Sequence, residues 1–212
     1  MFRAIECGGS LPFARLPAAE KIWIKCALEA GARGLILPMI ESAAQLEKAI
    51  DLATYPGQDS WRHGRVADEY RGVGYCRANV FGRDFEAYRQ HTAPDILMVA
   101  QIEHVRALDS LEQILAHPRL DAIMVGPYDL SGSMGLTGQF THPEFQAAMS
   151  AIASACARLC KPMGTHVVMP DPAELSRQIA GGCLFIAYGI DSVFLWQAAA
   201  RPAPCPADGR LA

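Results

Sequence analysis

The chain has 212 residues, 51% of them hydrophobic and 19% charged, with a formal net charge of -3. That length and apolar content suit a single domain over 1–212 with a sizeable core, and the near-neutral charge gives no basic footprint for nucleic acid. No apolar run reaches the roughly 18–20 residues that a membrane span needs, and MFRAIECGGS has no apolar core of signal-peptide length, so a cytoplasmic protein is expected.

Short apolar strands alternate with helical patterns along the chain. Pro12 to Leu16 (PFARL) reads as a strand, and Ala18 to Ala30 as a helix closed by Gly31. Gly34 to Met39 is the next strand and Ser42 to Ala53 the next helix. A polar loop, RGVGYC and an amphipathic stretch around Phe85 to His91 precede the strand Ile96 to Ile102. Ser110 to Ala116 is helical, Ala122 to Val125 a strand running into a small-residue loop, and Pro143 to Cys160 a long helix. Met163 to Val168 and Cys183 to Ala187 are strands around a helix at Asp171 to Ala180, and Asp191 to Ala200 begins a last helix. The Pro-rich tail 201–212 is expected to be loose.

Strands alternating with helices of about ten residues predict βα units and a parallel sheet. About six units are present, whereas a closed (β/α)8 barrel takes eight and about 250 residues. An open doubly wound sheet takes six, but its nucleotide fingerprints are absent, and Gly72-Val-Gly74 lacks the third glycine. The seven cysteines, at 7, 26, 76, 156, 160, 183 and 205, form no Cys-x-x-Cys pair. Cys156 and Cys160 share a helix face without a further Cys or His to complete a zinc set, so reduced, mostly buried thiols are expected.

Polar residues gather at strand ends. Gln101 and Glu103 close ILMVAQIE, and Asp129 follows AIMVGPYD. On consecutive parallel strands these ends lie side by side on the C-terminal rim, where α/β proteins place their sites. Two carboxylates meeting there repel unless a cation lies between them, and oxygen ligands suit Mg2+ or Mn2+. Equally, Glu103 can be a solvated strand end and Asp129 a helix N-cap. Arg71, before Gly-Val-Gly, is a candidate partner for an enolate or carboxylate oxygen, or else a surface arginine in a polar loop. Among the histidines, His63, His91, His117 and His142 fall in polar or helix-boundary positions. His104 should point away from Glu103 by strand alternation, and His166 lies near a strand end from which it could face the site.

RGVG, VAQIE, VGPYDLSGSMG, KPMGTHV and GGCLFIAYGIDSVFL occur here in this order, and the chain from about Phe2 to Ala199 resembles the HpcH/HpaI aldolase family. The resemblance implies an α/β fold of the TIM (β/α)8 type, N-terminally incomplete, and a metal-dependent aldolase. Such an enzyme splits 4-hydroxy-2-oxo acids into pyruvate and an aldehyde, or joins them. It further implies Glu103 and Asp129 as ligands of a divalent ion (Mg2+ or Mn2+, with Co2+ a further option). Gln101, Asp129 and the backbone around Tyr128 would then contact the small 2-oxo acid, and Arg71 would stabilise its enolate. Tyr128 stands where many members have a smaller residue. Asp84, in GRDFEAY, sits near a family acidic residue that reaches a neighbouring subunit's site. A homo-oligomer is implied, a hexamer of dimers that exchange their last helix.

The general base that the resemblance implies is a histidine on an early strand, ahead of the region matching MFRAIE. The expectation is therefore a barrel short of two strands, with apolar edges exposed beside the gap. Two other readings stay open: a citrate-lyase-like or malyl-CoA-lyase-like enzyme, and a truncated, catalytically weak relative acting as a binding or structural subunit.

Overall fold

The computed structural model describes residues 1–62, 64 and 66–199. His63, Cys205 and the tail 201–212 lie outside the described residues.

Six strands carry the architecture: β1 (Phe13–Arg15), β2 (Gly34–Leu37), β3 (Leu97–Ile102), β4 (Ala122–Val125), β5 (Met163–Val167) and β6 (Phe185–Tyr188). They pair in sequence order and every pair is parallel. A doubly wound sheet reverses its strand order at a switch point; this one does not. The order is that of an α/β part-barrel, consistent with an incomplete barrel of the (β/α)8 type.

Each strand presents alternate residues to two cores. Leu35 and Leu37 of β2, Met98, Ala100 and Ile102 of β3, and Ile123 and Val125 of β4 point outward into the main core. The helices α2 (Lys21–Ala30), α3 (Ala43–Ala53), α5 (Leu111–Leu115) and α7 (Pro143–Arg158) cover it, burying residues such as Ile24, Leu28, Leu46, Ile114 and Ile152. Ile36, Val99 and Met124 point the other way, into a small second cluster with Phe13 and Phe185. Phe13 belongs to the first strand and Phe185 to the last, yet their ring centroids are 5.5 Å apart. The sheet is therefore curled until its two end strands face each other across the hollow.

Two glycines leave room for those rings. A Cβ on Gly34, the register partner of Phe13, would lie 2.3 Å from the Phe13 ring. A Cβ on Gly164, the partner of Phe185, would lie 2.3 Å from the Phe185 carbonyl oxygen and 2.9 Å from its ring.

Several elements depart from the sequence expectation. Helix α1 (Phe2–Cys7) has no buried residue, so no periodic apolar face announces it. The expected loop after Gly126 is a short helix, α6 (Pro127–Ser133), with proline at its first turn and Gly126 as N-cap. Proline is pre-organised there, since its missing N–H is one that a helix start leaves unbonded anyway. Asp129 is thus a first-turn residue rather than the cap. The stretch at 85–91 is one turn, α4 (Phe85–Ala87), running into a π-turn over Tyr88–Thr92. Helix α7 stops at Arg158, which removes Cys160 from its face; Cys160 is exposed with φ 53°, whereas Cys156 is buried. Burial pushes the Cys156 thiol up to about 11, with Cys183 as a second cause.

The last two helices, α8 (Pro172–Ala180) and α9 (Asp191–Ala198), bury little: α8 has no buried residue and α9 only Val193. Ile179, Leu184, Leu195 and Trp196 are exposed around them. Among the described residues no helix is long and apolar enough to cross a membrane.

The curl makes a prediction. Gly164→Ala should destabilise the chain by about 1–3 kcal/mol, because the added methyl meets backbone on β6 and cannot be relieved by a rotamer change. Urea unfolding measures it. An unchanged midpoint would mean that β6 is free to move away.

Candidate functional site

The inner face of the sheet carries its polar residues at the C-terminal ends of the strands, above the small apolar cluster. Alternation along β3 puts Gln101 on the same face as Val99, and Glu103, one residue past the strand, follows on that face. Both are buried, at 6% and 2% exposure. Gly126 follows β4 beside them, and a Cβ there would lie 2.8 Å from Glu103 Cγ. A larger residue would expel the carboxylate from its place.

Three groups act on Glu103. The backbone N–H of Met39 donates to Oε2 at 3.0 Å. Met39 has φ 52°, a left-handed conformation that costs a non-glycine residue about 1–2 kcal/mol and is tolerated where the surroundings impose it. Arg15, at the end of β1, brings Nη2 to 3.6 Å from Glu103 Oε1 and donates from Nε to Gln101 Oε1 at 3.3 Å. Asp129 supplies the third, unfavourable contact. Burial raises the Glu103 pKa, the Met39 N–H and the Arg15 charge oppose that rise, and the neighbouring Asp129 carboxylate pushes it further up. A buried carboxylate beside a second one, with a guanidinium on one side, is an arrangement that a divalent cation would relieve.

The donor set fits such a cation. Among the described residues no cluster of three or more His, Cys, Asp or Glu side chains is placed to hold a metal. Two carboxylates are what a Mg2+-like ion takes when water and substrate oxygens complete its octahedron. Glu103 and Asp129 would supply the protein's part of that set, and the missing side chain at Gly126 leaves Glu103 its place.

The structure does not bring Arg71 into this group. Arg71 is 3% exposed, stacked over the Tyr55 ring at 4.5 Å and the Tyr88 ring at 5.2 Å, and donates from Nη2 to the Tyr88 hydroxyl at 3.0 Å. Both tyrosines belong to the outer core. Among the described residues none of its hydrogen bonds or ring contacts involves Gln101, Glu103 or Asp129. Burial pushes the Tyr55 phenol up to about 12 despite the Arg71 charge beside it. The polar loop around Arg71 suggested a strand-rim position, but two aromatic faces, distant in sequence, hold it on the far side of the sheet.

Arg15 is the arginine that the sequence reading missed, and the signal was present. PFARL ends a strand, and alternation from the apolar Phe13 puts Arg15 on the inner face, as it does for Gln101 and Glu103. Tyr128 is exposed and packs edge-on against Phe140, with centroids 4.9 Å apart, while its carbonyl accepts from the Ser131 hydroxyl at 2.9 Å. Asp84 is held by Arg83 at 2.7 Å, next to the turn α4. His104 and His142 accept backbone N–H groups at Nδ1 as helix caps, and His117 does the same for Arg119.

Comparison with known proteins follows the same line. The model of the HpcH/HpaI aldolase/citrate lyase family matches residues 2–198, and the chain belongs to that family. It is 35% identical over 190 residues to a hydroxypyruvate/pyruvate aldolase of Paraburkholderia phytofirmans, covering 89% of this chain and 70% of that protein. It is 31% identical over 189 residues to a 5-keto-4-deoxy-D-glucarate aldolase of Shigella dysenteriae, covering 89% and 69%. A crystal structure of an HpcH/HpaI aldolase/citrate lyase family protein from Burkholderia cenocepacia superposes with a TM-score of 0.83 at 32% identity, over 93% of this chain and 74% of that one.

Arg71→Lys tests the structural role given to that residue. Lysine keeps the charge but loses the planar stack on both tyrosines, at a cost of about 1–3 kcal/mol. The melting temperature should fall while calorimetric Mg2+ or Mn2+ binding at Glu103 and Asp129 is unchanged. An unaltered melting temperature with lost ion binding would return Arg71 to the site.

Proposed function

We propose that the rim site carries out metal-assisted aldol chemistry on a small 2-oxo acid, cleaving 4-hydroxy-2-oxo acids to pyruvate or hydroxypyruvate and an aldehyde, or joining them. The observation that carries this reading is the buried Glu103 carboxylate, aimed by a strained Met39 amide and flanked by Arg15, Gln101 and Asp129. The two curated relatives named above are aldolases, which agrees with it.

In this reading Glu103 and Asp129 hold Mg2+ or Mn2+. The ion when bound supplies Lewis-acid polarisation of the keto group. Gln101 and the backbone around Tyr128 orient the pyruvyl end. Arg15 takes the role first expected of Arg71. Its guanidinium already lies beside the Glu103 carboxylate and its side chain is half exposed to the mouth, so it can add positive charge where an enolate oxygen develops. The strand layer of Phe13, Val99 and Phe185 beneath keeps water from approaching through the floor.

The test uses the exchange of pyruvate methyl protons in D2O, which needs enolate formation but no aldehyde. With Mg2+ or Mn2+ supplied, the wild-type chain should catalyse exchange. Glu103→Ala and Asp129→Ala should abolish ion binding by calorimetry. Arg15→Lys should bind the ion normally and lose about 10²–10³-fold in exchange, as when one preorganised charge donor is removed. Full exchange by Arg15→Lys, or undiminished ion binding by Glu103→Ala, would remove the site from where it is put.

A further inference from the structure

The inner face holds one more chemically competent side chain. On β5 the register pairs Gly164 with Phe185 and His166 with Ala187, so His166 shares the inward face with Phe185. Continuing the β4–β5 register one residue past Val125–Thr165 sets His166 beside Gly126, across which the Glu103 side chain lies. Gly126 and Ala187, its neighbours on either side, carry little or no side chain, which leaves the imidazole room to reach into the mouth. His166 is half-buried, and among the described residues neither ring nitrogen has a hydrogen-bond partner. In this it differs from His104, His117 and His142, whose Nδ1 atoms each accept a backbone N–H.

Resting on the aldolase reading of the rim site, we infer that His166 is the catalytic base for the carbon–carbon step. Adjacent strands lie about 4.8 Å apart, so the backbones of β3 and β5 are separated by about 10 Å across Gly126. With a 4-hydroxy-2-oxo acid held at the ion site of Glu103 and Asp129 beside Arg15, that gap is the space open to its C4 hydroxyl. Among the described residues the other polar groups at the rim site cannot take this proton. Arg15 stays protonated at any working pH, Gln101 is neutral, and Glu103 and Asp129 are committed to the ion. A neutral imidazole accepts a proton at one nitrogen.

The C4 hydroxyl proton passes to the imidazole. The C3–C4 bond breaks, and its electron pair forms the C2–C3 double bond of the enolate. C4 becomes the aldehyde carbonyl. The imidazolium releases its proton to water at the open mouth, and C3 of the enolate takes a proton from water to give the 2-oxo acid. In the joining direction the same imidazolium protonates the new alkoxide.

This places His166 in cleavage but not in enolate formation, and the two can be read separately on the full chain with Mg2+ or Mn2+ present. His166→Ala and His166→Asn should lose about 10²–10⁴-fold in cleavage of a 4-hydroxy-2-oxo acid. Pyruvate proton exchange should stay within about threefold of wild type, and the circular dichroism melt should be preserved. Added imidazole should restore part of the cleavage by His166→Ala. Cleavage by both variants within a few-fold of wild type overturns the proposal, as does an equal fall of exchange and cleavage. A wild-type chain that exchanges pyruvate protons yet cleaves no hydroxy-oxo acid also overturns it and leaves the rim site standing. If the wild type does neither, the aldolase reading falls and takes the proposal with it.

Discussion

The contact on which the rest of the structure depends is the one between Phe13 and Phe185. These rings belong to the first and last strands, and their 5.5 Å approach turns six parallel strands into a curled wall around a filled hollow. The approach exists because each ring lies over a glycine on the neighbouring strand, Gly34 for Phe13 and Gly164 for Phe185. Aromatic rings covering strand glycines pin register and admit curvature at once. With the floor of the hollow set by these rings, Ile36, Val99 and Met124 fill the layer beneath the rim. The next residues inward and upward are Arg15, Gln101, Glu103 and His166. The polar layer is thus a consequence of where the apolar one ends.

Holding a carboxylate in that layer is expensive. Desolvation of Glu103 is opposed by one backbone amide and one guanidinium and aggravated by Asp129. A hydrogen bond to a charged group contributes about 1.5–3 kcal/mol, of which the Met39 conformation consumes about 1–2 kcal/mol. The remainder does not cover the desolvation of the buried Glu103, which amounts to several kcal/mol for an ion, and the exposed Asp129 beside it adds repulsion. Stored strain and uncompensated charge in one place mark a site built for a ligand rather than for stability.

The two arginines of the argument show how context divides one side chain into two roles. Arg15 is half exposed, faces a carboxylate and has a neighbour, Gln101, that orients its Nε. Arg71 is fully enclosed between Tyr55 and Tyr88, with one hydroxyl partner and a buried Nη1 left without one. Its charge is met by two ring faces, each contributing about 2 kcal/mol when desolvated. Arg71 ties α3 and the π-turn after α4 to the outer core, and Arg15 looks into the mouth.

Much was legible in the chain itself. The alternation of apolar strands with helical patterns determined six parallel βα units, the absence of nucleotide fingerprints argued against a doubly wound sheet, and QIE with GPYD located Glu103 and Asp129 at adjacent strand ends. These follow from local periodicity, which every residue carries with it. Where the signal was short or aperiodic it failed: the unburied α1, the proline-started α6 and the end of α7 before Cys160. Arg15 obeys the same strand-end rule, but Arg71 sits in the more conspicuous glycine-rich stretch. What only the tertiary structure decided is which face each of these side chains occupies and what stands across from it. The Tyr55 and Tyr88 stack that withdraws Arg71, the Met39 amide that aims Glu103, and the Gly126 gap between Glu103 and His166 join residues far apart in the chain. Each depends on inter-strand register and curl, and no local pattern encodes a contact whose partner is supplied by another strand.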